Sequence, residues 1–116
     1  MEPVVADRGS HIEVEIGLPG LRGADFVDVL ARATDRFGRK PILVLCGDPQ
    51  REMNLQDAYR IGVDVATRFP LQAVAIVLLG RRASEAEHFT EIVAANRGAR
   101  VRYFEDAGSA RSWLGT

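Results

Sequence analysis

The chain has 116 residues, which suits one domain that buries a core without disulfides or metal ions. Its 47% hydrophobic and 27% charged content excludes a disordered chain, and a net charge of −1 gives no general attraction to nucleic acid or an anionic membrane. The single cysteine excludes an internal disulfide. Without a signal peptide or a long apolar run, we expect a cytoplasmic protein with no membrane span.

The N-terminal residues predict a β-hairpin. Two β-prone runs, residues 4–6 and 12–16, flank a short turn that contains Gly9. In the second run, three apolar residues alternate with Glu13 and Glu15. We therefore expect the face that carries the two glutamates to be wet or only partly covered.

A first helix and a first buried strand are predicted to follow. Apolar residues recur at helical spacing over residues 24–37, and Gly38 is a suitable stop. The continuous apolar run over residues 41–46 is typical of a strand that is buried on both faces.

Asn54 is a good N-cap for a second helix, which is predicted to run to about residue 69, before Pro70. Its expected buried stripe consists of Leu55, Ala58, Gly62, Val65 and Phe69. A second buried strand is predicted over residues 73–79.

Ser84 and Glu87 have the spacing of a capping box, which predicts the start of a third helix. Phe89, Ile92 and Val93 are its expected apolar positions, and Gly98 can end it in the left-handed conformation.

The C-terminal residues predict an edge strand and a short final helix. Val101 and Tyr103 alternate with arginines, and Ala107, Ala110, Trp113 and Leu114 have helical spacing. The predicted order is β-β-α-β-α-β-α-β-α. This order is typical of an α/β domain with about five strands and four helices, a largely parallel sheet and an antiparallel N-terminal edge strand.

No recognised catalytic motif is present. Cys46 lacks the Cys-x5-Arg spacing of a phosphatase loop, since Arg51 falls one residue early. The glycines at positions 17, 20 and 23 do not have dinucleotide-binding spacing, and Lys40 does not open a helix as a phosphate-loop lysine would. We therefore expect no cofactor and no enzyme, with an uncharacterised activity in the loop at Cys46 and Asp48 as the alternative.

One pair of residues has the spacing of metal ligands. Glu85 and His88 lie three positions apart on the predicted third helix. A pair without a third ligand is weak evidence for a metal site, so a solvated helix face is favoured and no metal is expected.

The candidate residues for binding a ligand or a partner follow the two buried strands, because open α/β sheets bind ligands at the carboxyl ends of strands. They are Cys46, Gly47, Asp48, Asn54 and Arg81. Asp48 could equally organise its own turn, and Arg81 could lie in a solvated loop. The arginines of the chain are scattered in sequence and do not cluster on one predicted element.

The chain resembles the SpoIIAA-like branch of the STAS-like superfamily over nearly its whole length. The resemblance is carried by the hairpin, by the two buried strands and most of all by the ending, where Phe104-Glu105-Asp106 leads into a helix that ends in Trp113-Leu114. It implies a STAS-like sandwich. The relatives include anti-sigma factor antagonists, the tail domains of sulfate transporters and, by fold, SEC14-type lipid-binding domains.

Together with the small size and the lack of a catalytic motif, the resemblance predicts a non-catalytic binding module that acts as a regulatory protein-interaction domain. A small-molecule or lipid carrier is the alternative. Signalling members of the superfamily carry a phosphorylatable serine at the start of the helix after the first buried strand. Here that region reads Glu52-Met53-Asn54-Leu55, and residues 41–66 contain no serine or threonine. A serine switch at that position is therefore not expected, while a homodimer stays compatible with the charged strands.

Overall fold

The computed structural model describes residues 3–16, 23–47, 54–79 and 82–115. In chain order, its elements are β1 (Val4–Asp7), β2 (Ile12–Ile16), α1 (Gly23–Phe37), β3 (Ile42–Cys46), α2 (Leu55–Arg68), β4 (Ala73–Leu78), α3 (Glu85–Asn96), β5 (Arg100–Phe104) and α4 (Ala107–Leu114). The predicted α/β fold class is confirmed. The local signals for several helix ends are confirmed too, since Ser84 and Glu87 form the complete capping box and Gly38 and Gly98 have positive φ angles.

The five strands lie in the sheet in the same order as in the sequence. β1 pairs antiparallel with β2, and β2, β3, β4 and β5 are parallel. Each crossover helix therefore connects two neighbouring strands and advances the sheet by one position in the same direction. Because such crossovers are right-handed, all three helices are expected on one face.

The packing agrees with this winding. One core cluster joins alternate strand residues such as Val14, Val44 and Ile76 to buried side chains of α1, α2 and α3. We call this side the helical face. The residues that alternate with them, including Leu43, Ala75 and Val77, pack against α4 on the opposite side, which we call the α4 face.

The contact between α2 and α3 depends on Gly62. A Cβ atom at this position would lie 2.8 Å from both Cβ and Cγ1 of Val93 and 3.1 Å from the carbonyl oxygen of Thr90. At the same level, the Thr90 hydroxyl lies 3.1 Å from the carbonyl oxygen of Ala58 in α2. The glycine therefore permits a backbone approach that a larger residue would prevent.

Glu13 corrects one prediction about the α4 face. Glu13 is only 7% exposed, although the alternating pattern predicted that its face of the strand would be wet or only partly covered. Its carboxylate accepts hydrogen bonds from Arg8 at 2.9 Å and from Arg111 of α4 at 3.1 Å. Glu15, two residues along, is exposed as expected. The ion pair with Arg111 fastens α4 to β2.

One further prediction about burial on the helices was wrong. Leu55 was expected in the buried stripe of α2 but is exposed at the first position of the helix. Ile92 is also exposed, because α3 turns Ala86, Thr90 and Val93 inward instead.

Replacing Gly62 with Ala should destabilise the protein by about 1–3 kcal/mol, because the steric conflict with Val93 outweighs the better helix propensity of alanine. Urea unfolding of Gly62→Ala, Val93→Ala and the double variant would measure this. The Gly62→Ala cost should be smaller when Val93 is already Ala. An increase in stability from Gly62→Ala alone would contradict the close contact.

The Glu13 contacts predict a defined pH dependence. Burial opposes ionisation, but the hydrogen bonds from Arg8 and Arg111 outweigh it and hold the pKa of Glu13 below its usual range. The pKa is lower in the folded state, so the contribution to stability is full at neutral pH and is lost as the pH falls through the folded-state value. Glu13→Gln should lower the free energy of unfolding by about 1–2 kcal/mol at pH 7.

This difference between wild type and Glu13→Gln should shrink as the pH drops below about 4. Glu15→Gln is the matched control, since it lies on the same strand and the same face but is exposed. Thermal unfolding curves of the three proteins between pH 3 and 7 would decide. Equal behaviour of both variants at every pH would contradict a buried ion pair at Glu13.

Candidate functional site

The carboxyl ends of the central strands lie side by side. Ile16, Cys46 and Leu78 are in register across β2, β3 and β4. Two backbone hydrogen bonds continue beyond the strands: Gly47 donates to the carbonyl oxygen of Ile16 at 2.9 Å, and Leu79 donates to that of Cys46 at 3.1 Å. This edge, from which the chain leaves toward α2 and α3, is the place where the sequence predicted a site.

Three of the five predicted site residues are described. Cys46 is half-buried, is not in a disulfide, and packs against the core of the helical face. Gly47 is also half-buried and continues the backbone pairing of β3. Asp48 and Arg81 lie outside the described residues.

Asn54 has a clear structural role. Its side-chain oxygen accepts a hydrogen bond from the backbone nitrogen of Asp57 at 2.8 Å, and its backbone carbonyl accepts one from Ala58 at 3.0 Å. Asn54 is thus the N-cap of α2, as the sequence predicted. Its Oδ1 atom satisfies one of the backbone donors that a helix start leaves without a partner.

Two exposed leucines at this edge were not among the predicted site residues. Leu55 is 60% exposed at the start of α2, and Leu79 is 46% exposed directly after β4. Leu79 was assigned by its sequence to the buried strand, which in fact ends at Leu78. Both leucines fit the apolar periodicity of the neighbouring residues, but they lie at the ends of their elements, beyond the core. Periodicity alone could therefore not distinguish them from core residues.

A cleft of about 410 Å3 lies nearby, where β5 ends and α3 begins. It is lined by Arg82, Ala83, His88, Tyr103, Phe104 and Glu105. Arg82 and Glu105 form an exposed ion pair at 3.4 Å. The cleft thus combines half-buried aromatic side chains with charged ones.

Tyr103 connects this cleft to the interior. Burial of its hydroxyl, together with the nearby carboxylates of Glu87 and Glu91, raises the pKa of Tyr103, and a hydrogen bond with Thr90 offsets this only partly. The phenol therefore stays neutral at physiological pH.

His88 pairs with a different glutamate from the one that the sequence suggested. Its Nδ1 atom lies 3.3 Å from Oε1 of Glu91, and the same oxygen accepts a hydrogen bond from the backbone nitrogen of Tyr103 at 3.2 Å. Glu91 thereby occupies an outward-pointing donor of the edge strand β5, which discourages pairing with another strand.

Neither a metal-binding cluster nor a membrane-spanning helix occurs among the described residues. Residues 3–16, 23–47, 54–79 and 82–115 contain no group of three or more His, Cys, Asp or Glu side chains that could hold a metal ion. Within the same part of the chain, no helix combines the length and the apolar character needed to cross a membrane.

Comparison with known proteins found no matching family model, no matching curated protein and no matching solved structure. The STAS-like resemblance therefore stays a prediction from the sequence.

Replacing Asn54 with Ala should lower the free energy of unfolding by about 1 kcal/mol, because the cap of α2 is lost. Asn54→Ser should keep most of the stability, since a serine hydroxyl can accept the same hydrogen bond. Chemical denaturation of the two variants would test this. If both variants were as stable as the wild type, Asn54 would be free to serve a binding role instead.

Proposed function

We propose that this chain is a non-catalytic binding module that contacts a protein partner through the carboxyl edge of its sheet. The exposure of Leu55 and Leu79 is the observation that supports this proposal best. Large apolar side chains that folding leaves uncovered, next to strand ends, suit a docking surface better than a catalytic site. Asp48 and Arg81 remain sequence-based candidates for polar contacts around them.

A regulatory role is part of the proposal, by resemblance to anti-sigma factor antagonists. It would have to operate without the serine switch of that family, because residues 41–66 contain no hydroxyl group on a serine or threonine. Binding would then be controlled by the partner, or by the amount of either protein.

The lipid-carrier alternative has less support. A lipid chain requires a concave and mainly apolar cavity. The cleft beside β5 is large enough at about 410 Å3, but Arg82, His88 and Glu105 line it. Burying an acyl chain against these groups would remove their hydration without giving them new partners.

The proposal is tested by replacing both leucines. Affinity capture from lysate of the source cells would first identify a partner, whose binding is then measured directly by calorimetry with purified proteins. The double variant Leu55→Ser/Leu79→Ser should bind at least about tenfold more weakly, since two apolar anchors are lost. Asp48→Ala should also weaken binding.

Ile92→Ser provides the matched control, since Ile92 is equally exposed but lies in the middle of α3. It should bind like the wild type. A partner that binds the double leucine variant and the wild type equally well, or failure to recover any partner, would overturn the proposal.

A further inference from the structure

The winding of the chain gathers basic residues at the opposite edge of the sheet, where α1, α2 and α3 end and β3, β4 and β5 begin. We define this basic edge as residues 34–41, 68–73 and 97–100, all of which are described. Its basic residues are Arg36, Arg39, Lys40, Arg68, Arg97 and Arg100, and its acidic residue is Asp35. Four of these cations have partners outside the edge. Lys40 pairs with Asp7, and Arg68 pairs with Asp28. Arg97 donates to the hydroxyl of Tyr59, and the guanidinium of Arg100 lies over the ring of Trp113.

Leu71 lies in the middle of this edge. The strand register places Ala73 beside Arg100, so the turn before β4 is next to the segment that enters β5. On the other side, Nε2 of Gln72 donates to the carbonyl oxygen of Lys40 at 2.7 Å. The turn that carries Leu71 is thus flanked by basic segments on both sides.

The backbone of this turn is strained at the leucine. Gln72 donates a backbone hydrogen bond to the carbonyl oxygen of Phe69 at 3.2 Å, and Leu71 has a φ angle of 66°. With Pro70 at the second position, this is the arrangement of a type II turn, in which glycine is strongly preferred at the third position. A leucine there is unfavourable because its Cβ atom crowds the backbone.

The side chain of Leu71 gains no burial in return, because the residue is 83% exposed. A bulky apolar residue that is both strained and exposed suggests a role outside the fold, since strain of this kind concentrates at functional positions. The positive charge around Leu71 indicates that a partner covering this side chain would carry acidic groups.

We propose that the basic edge binds an acidic segment of a protein partner, which packs an apolar side chain against Leu71. Carboxylates match the planar, two-pronged guanidinium groups of the arginines. An anionic membrane is less well matched, because a lone leucine gives little apolar area to insert. This surface and the carboxyl-edge surface lie at opposite ends of the strands, so neither proposal depends on the other.

The test uses a synthetic twelve-residue peptide of aspartate and glutamate with two central leucines. A matched peptide has serine in place of both leucines. Binding to the 15N-labelled protein is followed by amide chemical shifts. The leucine peptide should shift residues 36–40, 69–72 and 97–100 and bind about tenfold more tightly than the serine peptide. Its affinity should fall as the salt concentration rises.

Leu71→Gly is the decisive variant, because glycine suits the turn and cannot fail to fold for reasons of strain. Its melting temperature should equal or exceed that of the wild type, while its affinity for the leucine peptide should fall about tenfold. Arg39→Glu should weaken binding of both peptides several-fold. The control is Arg60→Glu, an equal change of charge at an exposed position near the start of α2, which should bind like the wild type.

Three results would overturn the proposal. The first is that the leucine peptide changes no amide chemical shift in the basic edge. The second is that Leu71→Gly binds this peptide as tightly as the wild type does. The third is that the protein sediments with vesicles of phosphatidylcholine and phosphatidylserine while ignoring the peptide, which would identify lipid as the partner. Because none of these measurements involves Leu55 or Leu79, failure here would leave the proposed function of the carboxyl edge unaffected.

Discussion

The organisation of this molecule depends on one constraint, the right-handed crossover between neighbouring parallel strands. β2, β3, β4 and β5 follow one another across the sheet, so the winding never changes direction. Three helices therefore share one face, and α2 and α3 come close enough that position 62 accommodates only a glycine without displacement of Val93. The other face would be left bare if α4 did not fold back onto it.

α4 covers that second face with only a few side chains. The α4 face of the central strands is covered by Ala110, Trp113 and Leu114. The ring centroids of Trp113 and Phe104 lie 5.6 Å apart. A short helix gives limited apolar burial, so the ion pair between Arg111 and Glu13 has unusual weight in holding it. This ion pair also explains why β2, whose alternating sequence predicts one wet face, contains the buried Glu13.

The same winding gives the two edges of the sheet different properties. Helix starts and strand ends lie at one edge, where Leu55 and Leu79 are exposed. Helix ends and strand starts lie at the other, where the basic residues collect. Part of this polarity is expected, since cations are stabilised near the negative end of a helix, as with Arg36 and Arg68 in the last turns of α1 and α2. The strained and exposed Leu71 is not explained in that way.

Local signals in the sequence predicted most of the fold and little of the sites. The Ser84–Glu87 box, the Asn54 cap and the two central strands are patterns within a few residues. Both caps were confirmed, and both strands were found, although the second ends one residue earlier than predicted. The burial of Glu13 could not be predicted, because its partner Arg111 lies 98 positions away. Likewise, the arginines appear scattered along the chain and are brought together only by the fold. The exposure of Leu55 depends on where a helix begins relative to its neighbours, which periodicity does not specify.

One continuous winding brings the ends of α1, α2 and α3 together, and the distances between these helix ends can be measured directly. Spin labels at cysteines replacing Arg36, Arg68 and Arg97, in a Cys46→Ala background, would give three pairwise distances by electron paramagnetic resonance, with continuous-wave line broadening for short distances and pulsed measurement for longer ones. Neighbouring helices lie about 10 Å apart, so the 36–68 and 68–97 distances should be similar and short, and the 36–97 distance about twice as long. If the 36–97 distance were instead the shortest of the three, the helices would not follow one another across a single face, and the account would be contradicted.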